Sequence, residues 1–290
     1  MVDTRKKLSP KEVSLFQRDV WAYYAKNRRY FSWREAKHYD DPYKIVVSEV
    51  MLQQTQASRV VGKYEEFLRA FPDFTSLNRA TVAQVLATWR GLGYNRRAIA
   101  LKKIAEIVVE KYGRTLPQVS IQELDALPHI GPATACSISA FAWNTPVSFI
   151  ETNIRRVIIH RFFKDKEKVS DREILALVEE TLPTERSRDW YYALMDYGSM
   201  LKTTIENPNR KSVHYKRQSA FVGSNRQVRG AILAVLGGPS AAPCTQTVLL
   251  RNVQKYIGIK TISQKDINQN IKVLAKEGFL AISGKHVSIM

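Results

Sequence analysis

Glu49 stands in Ser48-Glu49-Val50-Met51-Leu52-Gln53-Gln54-Thr55-Gln56, and a second acid opens Glu151-Thr152-Asn153 well downstream. Between them lies a turn rich in proline and glycine, Leu127-Pro128-His129-Ile130-Gly131-Pro132-Ala133-Thr134-Ala135. Two carboxyl groups in unlike surroundings can split the work of breaking a bond: one protonates the leaving group, the other answers the positive charge left behind. Glu49 sits among Val46, Val47, Val50 and Met51. Desolvation there would raise its pKa and keep a proton on it near neutral pH, making it the expected general acid and afterwards the base that activates water. Glu151 follows the apolar stretch 147–150 and starts a helical pattern, so it is expected to cap that helix through its first amides. Neither acid is specific alone; Glu49 reads equally as a helix-surface glutamate and Glu151 as a solvated cap.

The turn gives the pair its context. Helices should end near Leu127 and begin at Ala133, with Pro128, Gly131 and Pro132 between. Glycine accepts unusual backbone angles, and its missing side chain lets a phosphate reach the N–H groups at the next helix start. His129, Gly131, Ala133 and Thr134 are therefore expected to touch a nucleic-acid backbone without reading sequence. Charge agrees: 45 Lys and Arg against 27 Asp and Glu give a net charge of +18, which fits a polyanionic partner. Acid, turn and acid in this order point to the cutting of a base from DNA. Arg34, Arg96 and Arg97 are further expected phosphate contacts.

Other chemistries are excluded by composition. Cys136 and Cys244 form no CxxC pair, and His38, His129, His160, His214 and His286 show no ligand spacing, so neither zinc nor a four-cysteine cluster is expected. No stretch approaches a membrane span and the charged start lacks a signal-peptide core; a cytoplasmic, nucleoid-associated protein without a membrane partner is expected.

Apolar residues recur at three- and four-residue steps over 11–26, 42–54, 59–70, 81–89, 96–111, 121–127, 133–142, 153–162, 171–181 and 188–201, predicting a mainly α fold. Residues 1–204 read as the core and 205–227 as a basic linker. Residues 228–290 read as three short helices and a strand pair turning at Ser283-Gly284-Lys285, the pattern of a small winged helix-turn-helix.

SEVMLQQTQ, Trp89-Arg90-Gly91-Leu92-Gly93-Tyr94, LPHIGPATA, Glu151-Thr152-Asn153-Ile154-Arg155-Arg156-Val157 and Met195-Asp196-Tyr197-Gly198 together resemble the helix-hairpin-helix DNA glycosylases, most nearly the MutY-type adenine glycosylases. The resemblance covers roughly residues 30–202. It implies a two-lobed helix-hairpin-helix core around a cleft, a duplex bearing a damaged or mispaired base as partner, and room for a structural monovalent cation at the hairpin. It makes Glu151 the group facing the deoxyribose, where the family holds an aspartate, with Asn153 orienting it. Gln53 and Gln54 fall in the DNA-contacting segment, Gln54 matching the family's inserting glutamine, and Tyr94 is the second inserting candidate. Where lyase-type relatives carry a nucleophilic lysine, this chain has Ala133, which cannot attack a sugar.

Two departures concern the scaffold. Most relatives carry four cluster cysteines in the loop after the position of Met200; this chain has Lys202, Asn209, Ser212 and Gln218 there, so no iron–sulfur cluster is expected. Adenine glycosylases also carry a larger β-rich domain that helps recognise 8-oxoguanine, which residues 228–290 cannot be. The favoured expectation is a monomeric, monofunctional glycosylase that excises adenine or an altered adenine from a mispair without a cofactor. Excision of another base, such as T or U opposite G, and a non-catalytic DNA-binding regulator are the other two readings, and the partner of the winged helix, DNA or protein, stays open.

Overall fold

In the computed structural model of the protein, residues 7–216, 221–238, 243–258 and 262–290 are described. The helices in chain order are α1 (Pro10–Asn27), α2 (Ala36–Tyr39), α3 (Pro42–Leu52), α4 (Ala57–Ala70), α5 (Phe74–Arg79), α6 (Val82–Trp89), α7 (Arg96–Tyr112), α8 (Ile121–Asp125), α9 (Pro132–Trp143), α10 (Thr152–Phe162), α11 (Asp171–Thr181) and α12 (Ser187–Thr204). Then come α13 (Asn225–Leu236), β1 (Cys244–Thr245), α14 (Gln246–Ile257), α15 (Gln264–Lys276), β2 (Leu280–Ser283) and β3 (His286–Ile289). The fold is mainly α. Sequence periodicity passes over α5, which is short and follows Pro72, yet Asp73 and Ser76 close a reciprocal cap on it. Ser9 with Glu12, Ser120 with Glu123, and Ser170 with Glu173 form the same box on α1, α8 and α11. In each, the serine oxygen takes an orphan first-turn N–H while the glutamate reaches back to the serine amide.

The chain divides into two compact units, one of Met1–Glu49, Gln118–Ala126 and Ile130–Arg217, the other of Val50–Pro117, Leu127–His129 and Gln218–Met290. In the first, α12 is the spine. Trp190 and Tyr191 are fully buried; Trp190 meets Phe16 of α1 edge-on, and Phe141 of α9 stacks on Tyr192 at 4.7 Å. On another face α10 crosses so closely that a Cβ at Gly198 would stand 2.4 Å from Asn153 O. Arg156 fastens this crossing, its Nη1 donating to Gly198 O (2.6 Å) and Asn153 Oδ1 (2.7 Å).

The stretch expected as a basic linker begins with packed structure. Pro208–Lys211 forms a 3-10 turn, Asn209 and Ser212 are buried, Asn209 Nδ2 donates to Thr152 O at 3.0 Å, and Ser212 bridges to Val169. A linker label fits basic composition but overlooks buried Pro208 and its polar neighbours. Residues 217–220, Gln218 among them, lie outside the described residues.

In the second unit, Val60, Tyr64, Phe67, Phe74, Leu77 and Trp89 form one cluster. Val228, Ile232, Leu249, Val253, Ile267, Ile271, Leu274, Phe279 and Val287 form another beneath a three-stranded antiparallel sheet ordered β1-β3-β2. Glu277 joins the two stretches of chain, pairing with both Arg96 and Arg229, and Arg90 donates to Gly237 O. Among the described residues no helix is long and apolar enough to cross a membrane.

Because backbone fills the space beside Gly198, Gly198→Ala must push α10 from α12. We expect a loss of about 1–3 kcal/mol in urea unfolding, with Gly230→Ala, where a Cβ meets nothing within 4 Å, as the harmless control.

Candidate active site

Glu49 lies on the last turns of α3 among fully buried Val46, Val47, Val50 and Met51. The residue keeps some solvent access, while its carboxyl is desolvated enough to raise its pKa from 4.5 to about 7. Burial is the main cause; the Ser137 hydroxyl opposes it, the Glu151 charge adds to it and Arg34 weakly opposes it. Ser137 Oγ donates to Glu49 Oε2 at 2.6 Å. Ser137, on α9 and buried, was not singled out from the sequence; the clue was weak, since Ser139 shares the same apolar stretch from Cys136 to Phe141 and is buried too.

Arg34 is a correction to expectation. Its side chain is 7% exposed and Nη1 grips both oxygens of fully buried Asp196, at 2.9 and 3.0 Å. The guanidinium also lies 4.5 Å over the Tyr192 ring. A cation so committed braces the interior and is withdrawn from phosphate. Arg29 adds a second cation to Asp196 at 2.7 Å. Paired with Asp196, Arg34 still favours the ionised form of Glu49, as the last-ranked of the influences on that carboxyl.

Glu151 is the N-cap of α10. Its Oε1 accepts from Asn153 N (2.7 Å) and Ile154 N (3.0 Å), and its Oε2 from Asn153 Nδ2 (3.4 Å). Burial pushes its pKa up, against the pull of Ile154 and Asn153 amides and of Arg156. All three partners donate, so the arrangement is complete for a carboxylate that only accepts. Asn153 is fixed in turn through Arg156. Burial thus raises both acids, and they differ in their partners: a single hydroxyl meets Glu49, whereas two backbone amides and a side-chain amide meet Glu151.

The hairpin runs from Ala126, after α8, to Gly131, the N-cap of α9. Its left-handed residue is His129 (φ 61°), whereas Gly131 is extended (φ −105°). Gly131 therefore matters for access, since a Cβ there would have nothing within 4 Å. No side chain caps α9 and Pro132 has no N–H, so the first-turn amides near exposed Ala133 and half-buried Thr134 belong to a helix start without a side-chain cap. Burial, with Arg96 and Arg97, lowers the His129 pKa, making it a neutral donor in place of a cation. His129 O already accepts from Gln53 Nε2 at 3.1 Å, so a monovalent cation at the hairpin would share that oxygen with an amide.

Among the described residues, non-glycine positive φ occurs at Gln54 (52°), Tyr94 (47°), His129 (61°) and Asn144 (54°). Three of these are expected DNA contacts, all in the second unit. Such angles cost of order 1–3 kcal/mol each and persist only where surroundings enforce them. Arg97 is the enforcer and a second correction. It is 4% exposed and donates to Val50 O, Met51 O and Gln53 O at 2.9, 2.8 and 2.6 Å, and to Gly93 O at 3.1 Å. It ends α3 at Leu52, where periodicity alone runs on to Gln54, and ties the Gln54 turn to the Tyr94 loop. Both side chains are left exposed. Arg96, paired with Glu277, is 56% exposed and keeps a face for solvent or phosphate.

Residues 47–184 match the HhH-GPD superfamily of base excision DNA repair proteins. An adenine DNA glycosylase of Mycobacterium tuberculosis is 30% identical over 252 residues, 78% of this chain and 79% of that protein. The chain belongs to the HhH-GPD DNA glycosylases. The adenine DNA glycosylase of Mus musculus is 28% identical over 80% of this chain and 46% of its own length. Among solved structures, a thermostable thymine-DNA glycosylase superposes with a TM-score of 0.61 at 25% identity, over 69% of this chain and 92% of that one. A non-covalent endonuclease III–DNA complex gives 0.58 at 16% identity, over 69% and 90%, and speaks for the fold alone. The matched segment of this glycosylase contains Glu49, the hairpin and Glu151.

A carboxyl whose pKa rises from 4.5 to about 7 on folding binds more protons folded than unfolded between those values, so stability declines as pH rises through that window. Glu49→Gln is expected to flatten this decline in urea titrations from pH 4 to 8, making the variant the more stable protein above pH 7. Arg97→Ala leaves the carbonyls at the end of α3 without their donor and should destabilise by about 1–3 kcal/mol. Weakened duplex binding in a gel-shift assay should accompany it, as Gln54 and Tyr94 lose their fixed angles.

Proposed function

We propose that this DNA glycosylase removes adenine, or an altered adenine, from a mispair by hydrolysis and leaves an abasic site. The observation that carries the reading is the Glu49 carboxyl, held protonated around neutral pH by desolvation while its neighbouring cation is bound to Asp196. A base inside a stack cannot be reached, so it is rotated out at a cost of a few kcal/mol. Gln54 and Tyr94 enter the vacated space, and the α9 amides with Gly131 grip the backbone. Glu49 protonates the departing base as the glycosidic bond breaks, the Glu151 carboxylate answers the oxocarbenium charge, and ionised Glu49 then takes a proton from the attacking water.

Ala133 offers no amine, so strand cleavage does not follow base loss. With two cysteines in the whole chain, the enzyme works without a four-cysteine iron–sulfur cluster. Residues 228–290 serve as a winged helix whose α15 is the candidate for entering a DNA groove, with a protein partner as the alternative. Adenine is favoured because the relatives by sequence are adenine DNA glycosylases; the likeness to a thymine-DNA glycosylase makes thymine opposite guanine the second reading.

Duplexes carrying A opposite G, A opposite 8-oxoguanine, or T or U opposite G, followed by alkali, separate these readings. Breaks are expected at adenine, only after alkali, with a rate that falls above pH 7 as Glu49 ionises. Glu49→Gln should slow excision by at least about 10²-fold. Breaks at thymine alone would transfer the proposal to the second reading, and breaks before alkali that survive loss of Glu49 would end it.

A further inference from the structure

Ser137 has one hydroxyl proton and two acceptors, Glu49 Oε2 at 2.6 Å and Thr134 O at 3.0 Å. A buried helical serine needs only the second, its own helix carbonyl, to be satisfied. The first is in the short range of hydroxyl-to-carboxylate bonds and ties the acid to the helix that starts at the hairpin. Glu49 Oε1 has no hydrogen-bond partner among the described residues. The other groups facing the carboxyl are the Glu151 carboxylate at the start of α10, Arg34, and the Tyr192 hydroxyl of α12. Arg34 is bound to Asp196, and burial pushes Tyr192 far up, so it stays neutral.

We propose that Ser137 is a positioning residue that pins Oε2 of Glu49 and so keeps the transferable proton on Oε1, the oxygen open to the leaving base. An oxygen already accepting from a hydroxyl is the poorer place for a proton, so the acid form resides on Oε1. When that proton has passed to the base, the same hydroxyl bond steadies the carboxylate. When the carboxylate takes a proton from water, Oε1 is refilled and no heavy atom has moved. Ser137 keeps its own proton throughout, and Thr134 O holds the hydroxyl in place between turnovers. This inference rests on the acid–base role of Glu49 proposed above.

Loss of the hydroxyl removes an interaction stronger with the anion than with the acid, so Glu49 should titrate at higher pH. The test is a carbon-13 titration of the Glu49 carboxyl in DNA-free protein, together with single-turnover excision of adenine opposite guanine. For Ser137→Ala we expect the midpoint and the alkaline limb of the rate to move up together, the plateau rate to fall about tenfold, the worth of one net hydrogen bond, and duplex affinity to stay unchanged. Ser137→Thr, which restores a hydroxyl, should return the midpoint toward the wild-type position. A Ser137→Ala midpoint and limb at the wild-type position would overturn the inference, whatever happens to the plateau, because packing loss alone lowers rates without shifting titration. If Glu49→Gln excises adenine normally, the acid–base reading fails; if that variant is inactive while Ser137→Ala behaves as wild type, only the role of Ser137 fails.

Discussion

A carboxyl group keeps its proton at neutral pH only where water is excluded and no free cation stands beside it. The first compact unit meets both conditions around Glu49. Apolar α3 neighbours remove the water, and the nearby guanidinium of Arg34 is taken by Asp196, itself shared with Arg29. A buried ion pair is at best a neutral contributor to stability, and breaking it is costly. Arg34 is thereby held in the ion pair, and its pull on the Glu49 proton ranks last, after burial, the Ser137 hydroxyl and the Glu151 charge.

The second carboxyl, at the start of α10, is buried as well but has more hydrogen-bond donors. Glu151 is surrounded by donors at a helix start, and its orientation depends on Asn153, Arg156 and a crossing so tight that residue 198 has to be glycine. The Glu151 side chain folds back to cap the Asn153 and Ile154 amides. One fold thus supplies two acids with separate tasks, distinguished by surroundings and not by residue type.

In the second unit the same economy of side chains appears around Arg97. The sequence places three arginines in or near DNA-contacting motifs, and composition makes each look like a phosphate ligand. Arg34 and Arg97 prove to be interior braces, and Arg96 is shared with Glu277. The reason is geometric: a guanidinium presents donors in a fixed fork, which suits a carboxylate or the open carbonyls at a helix end as well as it suits phosphate. Which of these it meets depends on chain segments far away in sequence.

Much of the site was nevertheless legible in one dimension. Glu49 within an apolar helical run, the Pro and Gly turn, Glu151 ahead of a helical pattern and alanine at 133 are local facts, because burial within a helix, capping and the lack of an amine follow from near neighbours. Local pattern could not say that Ser137 touches Glu49 across 88 positions of chain, that His129 and not Gly131 takes the left-handed turn, or that Arg34 pairs with Asp196. Those outcomes depend on contacts between distant segments, whose distances are set only when helices pack, and it is there that desolvation and pairing decide which side chains hold protons and which hold the structure.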